Sequence, residues 1–107
     1  MYEVIGNQIK LVKGDTFYAT VEVYDGDEAY TPTENEVVKF GLKLRYADEE
    51  CLIEKVIPND TLILKLEPED TADLAVLTYV YDIEITRENG DKDTFIRGTL
   101  TLLNEVV

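Results

Sequence analysis

The sequence predicts an all-β protein built as a β-sandwich. Three observations lead to this fold class. Strand-like segments recur about every ten residues, turns rich in Gly, Pro, Asn and Asp separate them, and no long stretch has the 3.6-residue period of a helix. Such a chain has no helices for βαβ crossovers, so two packed sheets are the expected way to bury its apolar faces.

The last third of the chain has the layout of a closing β-hairpin. An acidic turn at 69–71 leads to an alternating aromatic and aliphatic strand at 77–86. An Asn-Gly reversal at 89–90 then precedes a second strand at 93–103. This is the order found at the E–F corner and last hairpin of immunoglobulin-like domains. The sequence therefore predicts an immunoglobulin-like antiparallel β-sandwich of about seven strands, as one domain spanning 1–107.

The first two thirds of the chain supply the other strands. Residues 16–24 and 37–46 alternate between apolar and polar side chains, which is typical of half-buried strands. Shorter strands are expected at 2–5, 8–12, 29–31, 52–57 and 61–66. The apolar faces are expected to hold Phe17, Ala19, Val21, Val23, Val38, Phe40, Leu42, Leu44, Tyr46, Leu62, Leu64 and Leu66.

Turns and one helical turn join these strands. Reversals are expected at 6–7, 13–15, 25–28, 48–50 and 58–60. Only residues 67–75 suit a helical turn, since their acidic side chains favour a helix start. Gly98 interrupts the last strand and predicts either a bulge or the close approach of another backbone. Tyr79 is interpreted as a core tyrosine with a satisfied hydroxyl, in the place of the tyrosine that fixes the E–F corner.

The strong negative charge argues against two classes of partner. The chain has 23 acidic and 10 basic side chains and a net charge of −13. Nucleic acids and anionic membranes are bound through Lys and Arg, so neither is an expected partner. The charge is spread over loops and solvent-facing positions, where it favours solubility and opposes association between sheet edges.

The cysteine content and the N-terminal residues indicate where in the cell the protein is expected. Cys51 is the only cysteine, so no intrachain disulfide is possible, and its acidic neighbours disfavour a reactive thiolate. The first residues lack the features of a signal peptide, and no segment has the length of a membrane span. The expected location is the cytoplasm of the cell that makes the protein, or a particle into which it assembles.

No residue pattern identifies a catalyst, so the protein is predicted not to be an enzyme and to have no small-molecule substrate. Histidine is absent, which removes the commonest general base and metal ligand. Asp82 is the carboxylate nearest to a covered position, and a structural hydrogen-bonding role is expected for it. The acidic loops 25–28 and 89–93 are weighed as calcium sites, but turn chemistry explains both. No catalytic, metal or cofactor-binding residue is predicted.

Two sets of residues are candidates for an interaction surface. Lys39, Lys43 and Arg45 lie on the polar side of strand 37–46, and with Lys55 they would make a locally cationic face. Charge balance with nearby carboxylates is the competing interpretation. The second set would be an aromatic patch for stacking on sugars or for protein contact, with ordinary cross-strand packing as its alternative. It comprises Tyr18, Tyr24 and Tyr30.

A series of motifs in the same order resembles the N-terminal domain of phage baseplate upper proteins, and also small proteins encoded in prophages of Gram-positive bacteria. Order and spacing carry the resemblance, which covers nearly the whole chain. The motifs are Ile9-Lys10, Lys13-Gly14-Asp15-Thr16, Tyr30-Thr31-Pro32-Thr33, residues 38–42, Glu54-Lys55-Val56-Ile57, Pro68-Glu69-Asp70-Thr71, residues 79–83 with Gly90, and Thr94-Phe95-Ile96-Arg97-Gly98. The resemblance implies an immunoglobulin-like structural or assembly module and no active-site residues.

The expected function is therefore that of a phage or prophage structural or accessory module. It would act by contact with other phage structural proteins, or by self-association, in the tail or baseplate. The alternative is a carbohydrate-binding adhesion module that attaches a particle to a bacterial cell surface.

Overall fold

Ten strands and one short helix make up most of residues 2–104, the part of the chain described by the computed structural model. Residue 1 and residues 105–107, which the predicted domain includes, lie outside this part. The elements are β1 (Tyr2–Ile5), β2 (Gln8–Val12), β3 (Phe17–Thr20), β4 (Tyr24–Asp25), β5 (Glu28–Ala29), β6 (Val37–Lys43), β7 (Ile53–Ile57), β8 (Ile63–Leu66), α1 (Pro68–Ala72), β9 (Thr78–Thr86) and β10 (Lys92–Leu103). The all-β prediction is confirmed, although the described residues form ten strands rather than about seven.

Six strands form the larger sheet, in the order β1-β2-β10-β9-β6-β7. Its centre is the predicted closing hairpin, β9 and β10, with β6 against the other side of β9. The predicted purely antiparallel arrangement is wrong at one position, because β2 runs parallel to β10 with Gln8 opposite Thr99. These two strands are far apart in sequence, so no tight turn dictates their relative direction.

The second layer is much smaller. It consists of β3 and β8, four residues each and antiparallel, while β4 and β5 form a separate two-residue hairpin. The core lies between the layers, so the architecture is sandwich-like. Its fully buried side chains of largest volume are Phe17, Phe40, Leu11, Leu42, Ile57, Leu66, Ile85, Leu100, Leu102, Val38 and Thr71.

Several predicted strands are longer than the observed ones. The predicted strand 16–24 leaves the ladder after Thr20, although Val21 and Val23 remain buried as their alternation indicates. The predicted strand 37–46 ends at Lys43, and Leu44 and Tyr46 are exposed rather than buried. The chain turns away from the sheet there, and the Asp48 N–H donates to the Arg45 carbonyl oxygen at 3.1 Å.

Leu62 also departs from the expected pattern. Its φ is 54°, so it lies in the left-handed region before β8 begins and does not continue the alternation of Leu64 and Leu66. Its N–H donates to the carbonyl oxygen of Pro58 at 2.8 Å, which closes the turn. The apolar side chain still packs against the core. Turn geometry therefore takes precedence over strand pattern at this position.

The close backbone approach predicted at Gly98 is confirmed. The turn between β1 and β2 lies against β10 there, and the Thr99 N–H donates to the Asn7 carbonyl oxygen at 3.2 Å. The Asn7 side-chain amide donates to the Arg97 carbonyl oxygen at 3.1 Å. The bulge in β10 is elsewhere, where the register shifts between Thr94 and Ile96. Gly98 thus permits contact between the first turn and the last strand.

The two predictions for the region around α1 and β9 are confirmed. A single helical turn occupies the expected stretch. Tyr79 is buried, and its hydroxyl donates to the Ala75 carbonyl oxygen at 2.6 Å, four residues upstream. Burial raises the pKa of this hydroxyl. The hydroxyl is therefore satisfied by the loop that leads into its own strand.

Thr71 connects α1 to the turn between β2 and β3. Its side chain is fully buried, and its hydroxyl accepts a hydrogen bond from the Gly14 N–H at 2.9 Å. Thr71→Val keeps the shape but leaves this N–H without its acceptor, so we expect a loss of about 1.5 kcal/mol in the free energy of unfolding. Urea unfolding measures the loss. Thr20→Val, at an exposed strand position, is the control, and equal stability of the two variants would contradict the expectation.

Candidate interaction surfaces

An open apolar groove of about 450 Å³ lies beside the smaller sheet. Two four-residue strands cannot cover six strands, so part of the inner face of the larger sheet is left uncovered. The floor of the groove contains Ile9, Ile83 and Ile96, and its walls are Val4 of β1 and Ala19 of β3. The two packed sheets that the sequence predicts therefore do not cover each other completely.

The predicted cationic residues lie among carboxylates. Lys39 is directly opposite Glu84 in the pairing of β6 with β9. Lys43 Nζ donates to the backbone carbonyl oxygen of Asp48 at 2.7 Å. Arg45 Nε lies 3.9 Å from a side-chain carboxylate oxygen of Asp48. Carboxylates thus lie beside Lys39 and Arg45, as the charge-balance interpretation expects, whereas Lys43 is held by a backbone oxygen.

Lys55 does not join the face that holds Lys39. It is opposite Phe40 in the ladder, between two residues of β7 that face the core, and so it lies on the inner side of the sheet. Its ammonium group lies 2.9 Å from an Asp70 carboxylate oxygen. That carboxylate also accepts the Glu67 N–H at 2.7 Å, which ties β7 to the start of α1.

The three candidate tyrosines are engaged in different contacts. Tyr18 is exposed, with the Lys65 ammonium 5.2 Å from its ring centre, and the Tyr24 hydroxyl donates to Glu22 at 2.9 Å. Tyr30 packs against the core. Within residues 2–104 no ring–ring contact joins any two of these tyrosines. The structure does not bring them together as one platform.

A buried polar cluster around Glu36 was missed at the sequence level. The side chain is only 5% exposed, and its carboxylate accepts the Tyr30 hydroxyl at 2.5 Å and the Thr33 N–H at 2.9 Å. Arg87 Nη1 lies 3.3 Å from the second carboxylate oxygen, and its guanidinium stacks 4.8 Å from the Tyr30 ring centre. The Tyr30 hydrogen bond, followed by the Thr33 N–H and Arg87, lowers the Glu36 pKa.

The cluster joins three parts of the chain. Glu36 precedes β6, and Arg87 follows β9 and also contacts Asp93 of β10 at 3.2 Å. Asn59 adds a fourth segment, because its side-chain amide donates to the Thr33 and Glu36 carbonyl oxygens at 2.7 and 2.6 Å. Both carboxylate oxygens of Glu36 have partners inside the cluster, which therefore joins these segments of the fold to one another.

Cys51 and Asp82 lie near each other on the outer side of the larger sheet, close to Gly41. Burial, with a further contribution from Glu54, raises the pKa of the Cys51 thiol. No side-chain hydrogen bond of Asp82 is found in the described part of the chain, so the hydrogen-bonding role expected for it is not observed. A thiol in this environment stays protonated at neutral pH.

The acidic loop 89–93 has the geometry of a side-chain-stabilised turn. The Asp91 N–H donates to the Asn89 side-chain oxygen at 3.0 Å, and the Asn89 amide donates to the Asp91 carboxylate at 3.3 Å. Among residues 2–104 no three His, Cys, Asp or Glu side chains are grouped so that they could hold a metal ion. The same residues contain no helix with the length and apolar character to cross a membrane.

Comparison of the sequence with known proteins gave no match, either to a protein-family model or to a curated protein.

Proposed function

We propose that the protein is a non-enzymatic structural or accessory module of a phage or prophage, and that it acts by protein–protein contact in a tail or baseplate. One observation carries the proposal. An apolar part of the larger sheet is uncovered beside β3, which pairs with β8 alone among the described strands. Uncovered apolar surface and an unpaired strand edge are the features by which sheet proteins bind partners.

The strand order supports an immunoglobulin-like fold for this module. Variable-type immunoglobulin domains have neighbouring strands G, F, C and C′ in one sheet, and B beside E in the other. The corresponding neighbours here are β10, β9, β6 and β7, and then β3 and β8. The hydrogen bond from Tyr79 to the preceding loop is the contact that the tyrosine corner makes in that fold.

The phage assignment is supported by the resemblance of the ordered motifs to baseplate upper proteins. That resemblance implies assembly with other phage structural proteins or self-association, and it implies no catalytic residue. Mass analysis of virions purified after prophage induction tests the assignment. We expect the chain at a fixed ratio to the tail proteins, and its absence from particles and from their assembly intermediates would contradict the proposal.

Reversing the charge of the Lys39 surface is expected to leave assembly intact. Lys39→Glu with Lys43→Glu puts like charges opposite each other at the Glu84 position, so we expect the free energy of unfolding to fall by about 1 kcal/mol. Complex formation with purified tail proteins should not change, because Lys39 is already opposite Glu84 and Lys43 already donates to a backbone carbonyl oxygen. Loss of the complex by a variant that remains folded would instead identify this surface as the docking site.

A further inference from the structure

We infer that the groove beside β3 receives an extended, cationic segment of another polypeptide, which pairs with the free edge of β3 as a third strand of the smaller sheet. The inference rests on the proposed function and gives its contact a location and a chemistry. Four features of the structure carry it: the open edge, the apolar floor, the position of the groove and the charge.

The backbone groups on the free edge of β3 can be identified from its ladder. The Val21 N–H donates to the Leu62 carbonyl oxygen at 2.7 Å, so Val21 points its backbone groups toward the β8 side. In an antiparallel ladder this direction alternates along the strand, so Ala19 also points toward β8. Tyr18 and Thr20 point the other way. Their N–H and C=O groups are the donors and acceptors offered to an added strand.

The floor and walls of the groove suit the side chains of such a strand. A strand paired with β3 would lie over the inner face of the larger sheet, above Ile9 and Ile96, with β1 on its far side. Every second side chain would then enter the groove and the others would face solvent. The segment must therefore alternate apolar with polar residues.

The topology explains why this position is open. In constant-type immunoglobulin domains the strand that lies beside B is A. In this chain both strands that precede β3 belong to the larger sheet, where β1 pairs with β2 and β2 pairs with β10. At one end of the groove its two walls, β1 and β3, are in contact, since the ring centres of Tyr2 and Phe17 are 4.8 Å apart. The groove opens from that end toward Val4 and Thr20.

The negative charge of the groove and of the whole chain indicates that the partner segment is cationic. Glu22 is the only charged side chain among the described residues that line the groove, and the whole chain carries a net charge of −13. A second copy of the chain would bring the same negative charge to the contact. A segment with Lys or Arg at its solvent-facing positions instead complements both the Glu22 carboxylate and the overall field.

A fluorescein-labelled heptapeptide of alternating valine and lysine is the probe. Its control has the same composition with the valines grouped together. Anisotropy should show saturable binding of the alternating peptide, at least tenfold tighter than that of the control. Addition of salt should weaken the binding, because charge contributes to it. No saturable binding, or equal binding of the two peptides, would overturn the inference.

Two adjacent positions of β1 provide matched variants. Val4 lines the groove and is 47% exposed, while Ile5 is 63% exposed and its side chain alternates to the outer face. Val4→Arg places a cation in the groove and should weaken peptide binding at least tenfold. Ile5→Arg makes the same change in charge and should leave binding within twofold of the wild type. Equal effects of the two variants would contradict the location.

Amide hydrogen exchange tests the register directly. In the complex, exchange at Tyr18 and Thr20 should slow at least tenfold, whereas Ala19, whose N–H already faces β8, should change little. If exchange slowed only at the far edge of β1, the proposed pairing of the segment with β3 would be wrong. Sedimentation showing a dimer that Val4→Arg dissociates would overturn the choice of partner in favour of a second copy.

The virion experiment separates this inference from the proposed function. If the chain is present in particles but the alternating peptide does not bind, the groove is not the contact and the proposed function stands. If the peptide binds but the chain is absent from particles and their intermediates, the phage assignment falls and the strand-binding groove stands.

Discussion

Gly98→Ala is expected to lower the free energy of unfolding by about 3 kcal/mol, a large part of the total for a domain of this size. A Cβ at this position would overlap the Asn7 carbonyl oxygen and lie 2.9 Å from the Asn7 Cβ. Asn7 lies in the short turn between β1 and β2, and ladders hold both of these strands, so its backbone cannot move without breaking hydrogen bonds. The φ of Gly98 is not in the left-handed region, so the cost is steric.

Displacement of the Asn7 backbone by the added Cβ would also break the hydrogen bonds that Asn7 accepts. Its carbonyl oxygen accepts the Tyr81 hydroxyl at 2.9 Å and the Thr99 N–H at 3.2 Å. Gly41→Ala is the control, since Gly41 is also in a central strand but its added Cβ would meet a movable side-chain atom, Cys51 Sγ, at 3.1 Å. Urea unfolding of both variants measures the difference. A loss below 1 kcal/mol for Gly98→Ala would contradict the steric explanation.

Glu36→Ala is expected to cost about 3 kcal/mol, because it removes the centre of a buried polar cluster. The Tyr30 hydroxyl and the Thr33 N–H lose their acceptor, and Arg87 loses one of its two carboxylate partners, Asp93 being the other. Glu34→Ala is the control at an exposed position two residues earlier. Thermal and urea unfolding should separate the variants clearly, and equal stability would show that the cluster does not contribute to the fold.

The same cluster should make the free energy of unfolding fall as the pH is lowered into the acid range. The Glu36 pKa is lower in the folded state than in the unfolded chain, where it is near the usual value of about 4.3. Its contribution is therefore fully present above the unfolded pKa and is lost as the pH falls through the folded pKa. Glu36→Gln should flatten the loss of stability in this acid range. An unchanged pH profile in that variant would assign the acid sensitivity to other carboxylates.

The sequence predicted the parts of the fold that depend on local pattern. The alternation of Tyr79, Tyr81, Ile83 and Ile85 marks one buried face, and the Asn-Gly reversal at 89–90 directs the following strand back along it. Gly98 was informative because a glycine within a strand often marks a bulge or the close approach of another backbone. In each case the residues that indicate the structural feature are part of that feature or lie within a few residues of it.

Other features depend on partners distant in sequence and could not be predicted this way. Glu36 lies in an acidic stretch that is typical of a solvated loop, and only its contacts with Tyr30 and Arg87 make it a core residue. The direction of β2 against β10 leaves no mark in either segment. The groove depends on how far β3 and β8 extend over the larger sheet, whereas the sequence indicates only which residues are apolar.

The parallel pairing of β2 with β10 has a consequence for biosynthesis. Ile9 and Leu11 are translated 91 residues before Leu100 and Leu102, the residues opposite them in the ladder. At ordinary elongation rates the interval between partners is roughly 5 to 20 s. The apolar side chains of β2 lack these partners for that time, so we expect the solubility of the nascent chain to depend on the chaperones of the cell that makes it.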